Sequence, residues 1–163
     1  MTGAQAGSMN RVRELIEAIQ IAFLTTVDLQ GSFHTRPVQT LAFEPDDTLW
    51  FFTDRDSGKV EELNRDIRVA LAYADRSASA YLAVCGTATL LRDPCKARQL
   101  WRVEQRAFYP HGPEDQRLIL LRVRIERAEY WMTPSRVAYL VAAAKAAVTG
   151  LPAGIIGENR KID

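Results

Sequence analysis

The feature that most constrains this chain is a series of three apolar segments between residues 21 and 53, separated by short turns. Ile21 to Asp28 reads as a buried strand, Leu29-Gln30-Gly31-Ser32 as a turn, and Phe33 to about Phe43 as a second strand. Glu44-Pro45-Asp46-Asp47 turns the chain again into Thr48 to Thr53, a third strand rich in aromatic residues. Connections this short join antiparallel neighbours, because a parallel pair needs a crossover of about a dozen residues or more. The segment is a meander of hairpins.

The flanking sequence extends the pattern. Asn10 to Gln20 carries Val12, Leu15, Ile16 and Ile19 at the spacing of one helical face. Ser57-Gly58 opens a short helix through Leu63, and Ile67 to Tyr73 returns as a strand. Ala80 to Leu91 is a long strand in which Gly86 marks a bend or bulge. Asp93-Pro94 is an N-cap followed by proline at the first helical position. The helix beyond it would place Ala97, Leu100, Trp101 and Phe108 near one face. After a loop at Tyr109-Pro110-His111-Gly112-Pro113, Leu118 to Trp131 reads as a last long strand. An alanine-rich helix from Ser135 to Val148 ends at Gly150, with Pro152 beyond.

About six strands, helices between some of them and no strand–helix–strand alternation predict a mainly β (α+β) fold, an antiparallel barrel with peripheral helices. The 163 residues contain no repeat or linker, so one domain over residues 9–150 is expected. Gly7-Ser8 before Met9 reads as a cloning scar, which would make residues 1–8 an added leader. Residues 151–163 read as an irregular tail.

Charge decides which partners are excluded. Lys plus Arg number 21 against 20 Asp plus Glu, so no global field draws the chain to nucleic acid or anionic lipid. Any bound anion must be held locally. Cys85 and Cys95 cannot form a disulfide framework, and no Cys/His spacing suggests a metal site. Met1 to Ser8 lacks the pattern of a signal peptide, and Val137 to Val148, interrupted by Lys145, is too short for a membrane span. A cytoplasmic protein with reduced cysteines is expected.

The stretch that carries chemistry is Leu49-Trp50-Phe51-Phe52-Thr53-Asp54-Arg55-Asp56-Ser57-Gly58-Lys59. An apolar strand runs into a loop that delivers a hydroxyl, a glycine and an ammonium to the first turn of a helix. Free backbone N–H groups and the positive end of the helix dipole make such a turn a phosphate cradle. The plain alternative is that Ser57 is an N-cap and Lys59 is solvated. Arg36, before Pro37, is a second anchor: its fork suits a phosphate, and hairpin pairing would bring its strand beside Thr53. An edge-strand arginine in solvent is the alternative there.

Together these segments resemble a known family. Thr35-Arg36-Pro37-Val38, Phe52-Thr53-Asp54 with Ser57-x-Lys59, and Ile67-Arg68-Val69-Ala70-Leu71 are similar to the FMN-binding split barrel related to pyridoxamine 5′-phosphate oxidase. Phe108-Tyr109-Pro110-x-Gly112-Pro113-Glu114-Asp115, Leu120-Leu121-Arg122-Val123, Ala128-Glu129-Tyr130-Trp131 and the tail from Ala144 to Gly150 resemble its general-stress-protein branch. The resemblance implies an antiparallel split β-barrel and an FMN cofactor. It implies that Arg36 and Lys59 hold the phosphate, with Ser57 adding a hydrogen bond. Pro37, Val38, Gln39 and Thr40 would run their backbone along the isoalloxazine ring, flanked by Phe52 and Thr53. Tyr81 and Trp131 fall where the oxidase has a flavin-contacting glutamine and a late tryptophan. The cofactor would lie between the subunits of a homodimer, so some of these residues would act across the interface.

Two departures from the oxidase matter. Gly58 stands where the oxidase has a basic residue before its lysine, and the oxidase's Arg-x-His-Asp-Arg segment is missing after Trp131, with only Arg136 nearby. These argue against oxidation of pyridoxine or pyridoxamine phosphate. Other features are expected to mean less. His34 and His111 read as surface residues; Trp101, Phe108 and Tyr109 as core or dimer contacts, or walls of a flavin pocket. Arg117, Arg122, Arg124 and Arg127 read as a solvated strand face, and Ala142 to Ala147 as packed on the barrel. No acid, base or nucleophile stands out, so no catalytic residue is assigned. The expectation is an FMN-dependent oxidoreductase. The alternatives are a non-enzymatic flavin-binding stress or sensor protein, and haem or a deazaflavin on the same barrel.

Overall fold

The computed structural model describes residues 3–132, 136–150 and 158–162. In chain order it contains helix α1 (Gly3–Ile19), strands β1 (Ile21–Val27), β2 (Phe33–Gln39), β3 (Ala42–Glu44) and β4 (Thr48–Asp54), and helix α2 (Gly58–Arg65). Strands β5 (Arg68–Asp75) and β6 (Ala80–Leu91), helix α3 (Pro94–Leu100), strand β7 (Leu118–Met132), helix α4 (Arg136–Thr149) and strand β8 (Glu158–Ile162) follow. The strands form one sheet in the order β2-β1-β5-β6-β7-β4-β3, with β8 added on β7 and every pairing antiparallel.

Turn chemistry sets the hairpins. Asp28 Oδ1 accepts from the N–H groups of Gln30 and Ser32 at 2.9 and 2.8 Å, while Gly31 takes the left-handed φ of 83° that closes the β1–β2 turn. At Gly86 the β6–β7 register shifts, and a Cβ there would lie 2.1 Å from the Arg124 carbonyl oxygen, so only glycine admits the bulge. Asp93 caps α3 as expected, its Oδ1 accepting from the Lys96 N–H at 2.9 Å with Pro94 at the start of the helix.

The curled sheet buries one face. Leu24, Leu49, Phe51, Leu71, Leu82, Val84, Leu121 and Val123 are buried in it, joined by Val12, Leu15 and Ile16 from α1. Burying each such side chain stabilises the fold by about 1.5–3 kcal/mol. The helical face of α1 was legible because its apolar spacing had one surface to meet.

Several expectations need correction. The second strand does not run unbroken to Phe43: Thr40 donates its N–H to Gln20 and Leu41 to Trp50, so the chain leaves β1 there and joins β4. Consequently β2 pairs with β1, Arg36 opposite Leu24, and β4 takes β3. The helix after Pro94 stops at Leu100, and Val103–Ala107 is a separate 3-10 turn. Ala97 and Leu100 are buried, but Phe108 is exposed and Trp101 lies past the helix end. Helix α1 begins at Gly3, so residues 3–8 continue the helix that was expected from Asn10. Within the tail, Glu158–Ile162 pair with residues 128–132 of β7; residues 151–157 lie outside the described residues. That pairing has a reason: β4 covers β7 only as far as Arg124, leaving an open edge that β8 takes. Of Ala142 to Ala147, expected to pack on the barrel, Ala143, Ala144, Lys145 and Ala147 are exposed, and the side chain of Ala142 lies outside the described residues. The side chain of Arg136 lies outside the described residues.

Candidate functional site

Strand β4 ends by bringing Phe52 and Thr53 to one rim of the sheet. The chain then turns through Asp54, whose carbonyl accepts from the Ser57 N–H at 3.1 Å and whose Oδ1 accepts from the Asp56 N–H at 2.9 Å. Arg55 N–H, bonded to the Arg117 carbonyl at 2.8 Å, ties this turn to the start of β7. Ser57 occupies the N-cap position of α2, yet its hydroxyl makes no capping bond. Its Oγ sits 3.2 Å from Thr53 Oγ1 and accepts from Lys59 Nζ at 3.3 Å. Lys59 Nζ also donates to Thr53 Oγ1 at 2.8 Å.

Lys59 is thus gathered against two hydroxyls, half-buried, with no carboxylate partner among the described residues. Burial and the neighbouring Arg36 charge push its pKa down, against weaker opposition from Asp54 and Glu62. An ammonium under that strain gains from any anion placed beside it. The simple alternative, a serine cap with a solvated lysine, is not what the side chains do.

Arg36 has a different setting. Its Nη2 donates to Glu62 Oε2 at 2.6 Å and its Nη1 to Thr26 Oγ1 at 2.5 Å. Glu62, on the buried face of α2, also accepts from Thr26 Oγ1 at 2.5 Å and meets His34 Nδ1 at 2.8 Å. Burial would raise the Glu62 carboxyl, but the hydrogen bonds from Thr26, His34 and Arg36 outweigh it and hold the pKa down at about 2. Arg36 therefore reaches Lys59's neighbourhood through α2, and not through a hairpin between its strand and β4. His34 is largely exposed, as expected, while one ring nitrogen contacts this carboxylate.

A cleft of about 710 Å³ opens beside Lys59, within the usual size range for small-ligand sites. Pro37, Val38 and Gln39 form one wall, and Phe52, Thr53 and Lys59 another. Gln105, Phe108, Tyr109 and Arg117 close it from the segment that precedes β7. Phe52 packs edge-on to Tyr109 and tilted to Trp101, with ring centroids 6.1 and 6.0 Å apart. Arg117 is not simply a solvated strand arginine: it lines the cleft and pairs with Asp54 at 3.4 Å and Asp115 at 3.6 Å.

Of the residues singled out by sequence, six share this cleft: Pro37, Val38, Gln39, Phe52, Thr53 and Lys59. Ser57 and Arg36 stand beside it through their bonds to Lys59 and to Glu62. Thr40 is buried, its hydroxyl 2.9 Å from that of Tyr73, so its side chain serves the core. Tyr81 and Trp131 are cross-strand partners on the outer face of β6 and β7 and do not line the cleft. Sequence reasoning missed Glu62, Gln105 and the place of Arg117 in the cleft, while Phe108 and Tyr109 do line it, the alternative that the sequence left open for them. Only the two adjacent acids Glu61-Glu62 hinted at one of them, and which acid faces inward was not legible.

A family model described as pyridoxamine 5′-phosphate oxidase like matches residues 7–152. The protein bli-3 of Neurospora crassa is 27% identical over 116 residues, 66% of this chain and 56% of that protein. The chain thus spans little more than half the length of this curated relative. Among solved structures, a candidate general stress protein 26 of Jannaschia sp. superposes with a TM-score of 0.74 at 18% identity, covering 96% of this chain and 98% of the other. A general stress FMN/FAD binding protein of Xanthomonas citri gives 0.66 at 26% identity, covering 77% and 88%. These likenesses identify the curled antiparallel sheet as the split barrel.

Proposed function

The chain belongs to the pyridoxamine 5′-phosphate oxidase-like family, and from that membership we propose that it is an FMN-binding flavoprotein, acting as an oxidoreductase. The observation that carries this reading is the Lys59 ammonium, which is held on the Thr53 and Ser57 hydroxyls at a cleft and has no carboxylate partner among the described residues. The residues present fit a phosphorylated flavin. Lys59, Ser57 and Thr53, with Arg36 behind them, would hold the phosphate, and the edge of β2 from Pro37 to Gln39 would lie along the ring. The Xanthomonas citri relative, described as an FMN/FAD binding protein, agrees with that assignment. Bound there, the flavin supplies the redox chemistry, and the protein supplies position and exclusion of water.

A homodimer belongs to the same proposal. The outer face of β1, β5 and β6 presents Ile21, Phe23, Ala72, Ala74 and Tyr81 to solvent, and Trp131 of β7 continues it beside Tyr81. Phe23 lies opposite both Pro37 and Ala72, so this apolar surface runs directly into the cleft wall. A second copy on that face would cover the apolar patch, close the cleft and bring its own Tyr81 and Trp131 toward the ring. No helix among the described residues is long and apolar enough to cross a membrane.

The test is a pair of titrations. FMN should bind at micromolar concentration or below, and more tightly than riboflavin, with light scattering reporting a dimer. No binding of FMN would overturn the reading, and a monomer that still binds FMN would overturn the interface. Reoxidation of the reduced protein by small acceptors, faster than that of free FMN, separates an oxidoreductase from a protein that only carries flavin.

A further inference from the structure

Helix α4 has no polar face. Of its 14 residues only Arg136 and Lys145 carry charge, and most of the rest are alanine or valine. A helix that is apolar all round is ordinarily buried. Yet Leu140, Val141 and Val148 are 66, 63 and 87% exposed. Val141, Ala144 and Val148 follow the i, i+3, i+7 spacing of a single stripe, with Leu140 beside it. Nothing among the described residues of the same chain covers that stripe. At about 21 Å the helix is also too short for a bilayer core of about 30 Å.

A second apolar surface is uncovered on the segment after α3. Val103 and Phe108, 73 and 69% exposed, bracket the 3-10 turn Val103–Ala107. Phe108 lines the cleft, whereas Val103 stands outside it, so the two form its outer lip. The tether of α4 decides what the helix can reach. Met132 ends β7, and Glu158, which begins β8, pairs with it, so α4 leaves and rejoins the sheet at one point. The chain from Met132 to Arg136 spans at most about 14 Å. Trp131, next to that point, lies opposite Tyr81 on the outer face. In the homodimer proposed above, Tyr81 and Trp131 of one copy close the cleft of the other. The helix that follows Trp131 then starts at the mouth of the partner's cleft.

We infer that α4 of each subunit crosses to a second copy of this chain and lays its Val141–Val148 stripe on the partner's Val103 and Phe108, roofing the partner's cleft. Each subunit gives one helix and receives one, so the contact is self-complementary about a two-fold axis. Both uncovered apolar surfaces are satisfied at once, and each cleft is complete only with the partner's helix over it. The inference rests on the homodimer reading and adds to it the element that keeps water from the cleft and slows escape of what is bound there.

The experiment follows release of FMN, as recovery of flavin fluorescence on dilution, from the full chain and two variants. Val141→Asp with Val148→Asp alters the helix, and Val103→Asp alters the lip without touching the cleft lining. Each should release FMN at least about tenfold faster, the size of one lost buried aliphatic contact. Heterodimers with the helix variant in one subunit and the lip variant in the other, isolated through two different affinity tags, decide the route. A helix that crosses leaves one cleft with both surfaces intact, so one of the two flavins returns to the wild-type rate. A helix that folds back on its own chain leaves both clefts damaged and both flavins fast, which would overturn the inference. Unchanged release in both variants, from a protein that light scattering shows to be dimeric, would overturn it and leave the dimer standing. So would wild-type protein that sediments with phosphatidylglycerol vesicles through Val141 and Val148 while their substitution leaves release unchanged, since α4 would then serve a membrane surface. A wild-type monomer, or one without FMN, would fail the homodimer or the flavin reading first, and this inference with it.

Discussion

Arg36 reaches helix α2 from strand β2, while Lys59 stands in that helix's own first turn, and the two cations are close enough for one to depress the other's pKa. Their partners differ. Arg36 is paired with a buried carboxylate and a threonine, whereas among the described residues Lys59 has only hydroxyls. A positive charge already neutralised inside the protein contributes mainly to the fold. One held in place without a counter-charge is available to a ligand. The two motif cations thus divide into a clamp and a receptor, and substitutions can break or sharpen that division.

The largest effect should come from Glu62→Ala. It leaves Arg36 in a poorly solvated position beside Lys59 with no counter-charge, and breaking one partner of a buried pair costs about 3–5 kcal/mol. Chemical denaturation should show this without bound flavin. A loss below about 1 kcal/mol would mean the clamp is not a clamp. The same carboxylate predicts an acid response. Its pKa is carried down from 4.5 to about 2, so its stabilisation is complete above about pH 4.5 and is lost as pH falls toward 2. Glu62→Gln should flatten the stability curve through that window. A slope unchanged by this substitution would assign acid sensitivity to other groups.

Next in size is Lys59→Ala. Removing a charge-assisted hydrogen bond to a phosphate costs roughly 1.5–3 kcal/mol, which lowers FMN affinity about tenfold to a few hundredfold. Riboflavin, which brings no phosphate, should bind nearly as before. Stability without flavin should hardly change, because an ammonium at a helix N-terminus sits at the unfavourable end of the dipole. Equal losses for both ligands would turn Lys59 into a second clamp. Comparable loss of apo stability in Lys59→Ala and Glu62→Ala would erase the distinction altogether.

The division was only half legible in the sequence. Hairpin turns are local events, so Asp28, Gly31 and the Glu44–Asp47 turn announced the meander, and the spacing in α1 announced its buried face. Thr53, Ser57 and Lys59 lie within seven residues of one another, and their convergence also follows from local chain geometry. The clamp joins residues 26, 34, 36 and 62, and nothing in the chain said which face of α2 would turn inward. Pairing β2 with β4 was the natural guess for a meander. The chain instead changes partners at Thr40 and Leu41, a choice that depends on Gln20 and Trp50, well separated in sequence. Which of two roles Tyr109 takes, and that Gln105 joins it at the cleft, was hidden for a similar reason. Gln105 and Tyr109 sit on an irregular segment whose direction is set by packing on Phe52, not by any periodic pattern.

The smallest effect should belong to His34→Ala, and it tests whether the clamp rests on Arg36. His34 Nδ1 lies 2.8 Å from Glu62 Oε1, but its side chain is 58% exposed while that of Glu62 is 7% exposed. Water can approach from the histidine side once the ring is gone and can replace its hydrogen bond, so the cost should stay below about 1 kcal/mol, as for exposed pairs generally. Arg36 and Thr26 hold the other carboxylate oxygen, Oε2, from inside and are untouched by the change. The Glu62 carboxyl, having lost one of three stabilising bonds, should protonate at slightly higher pH, and the acid limb of the stability curve should move up with it. Affinities for FMN and riboflavin should both be unchanged, since His34 bonds to Glu62 and not to Lys59 or its two hydroxyls, and is not among the residues that line the cleft. Denaturation curves for His34→Ala, Glu62→Ala and the double variant give the coupling between the two residues directly. If His34→Ala alone cost as much as Glu62→Ala, the charge on Arg36 would be incidental and the clamp would be a histidine–carboxylate pair.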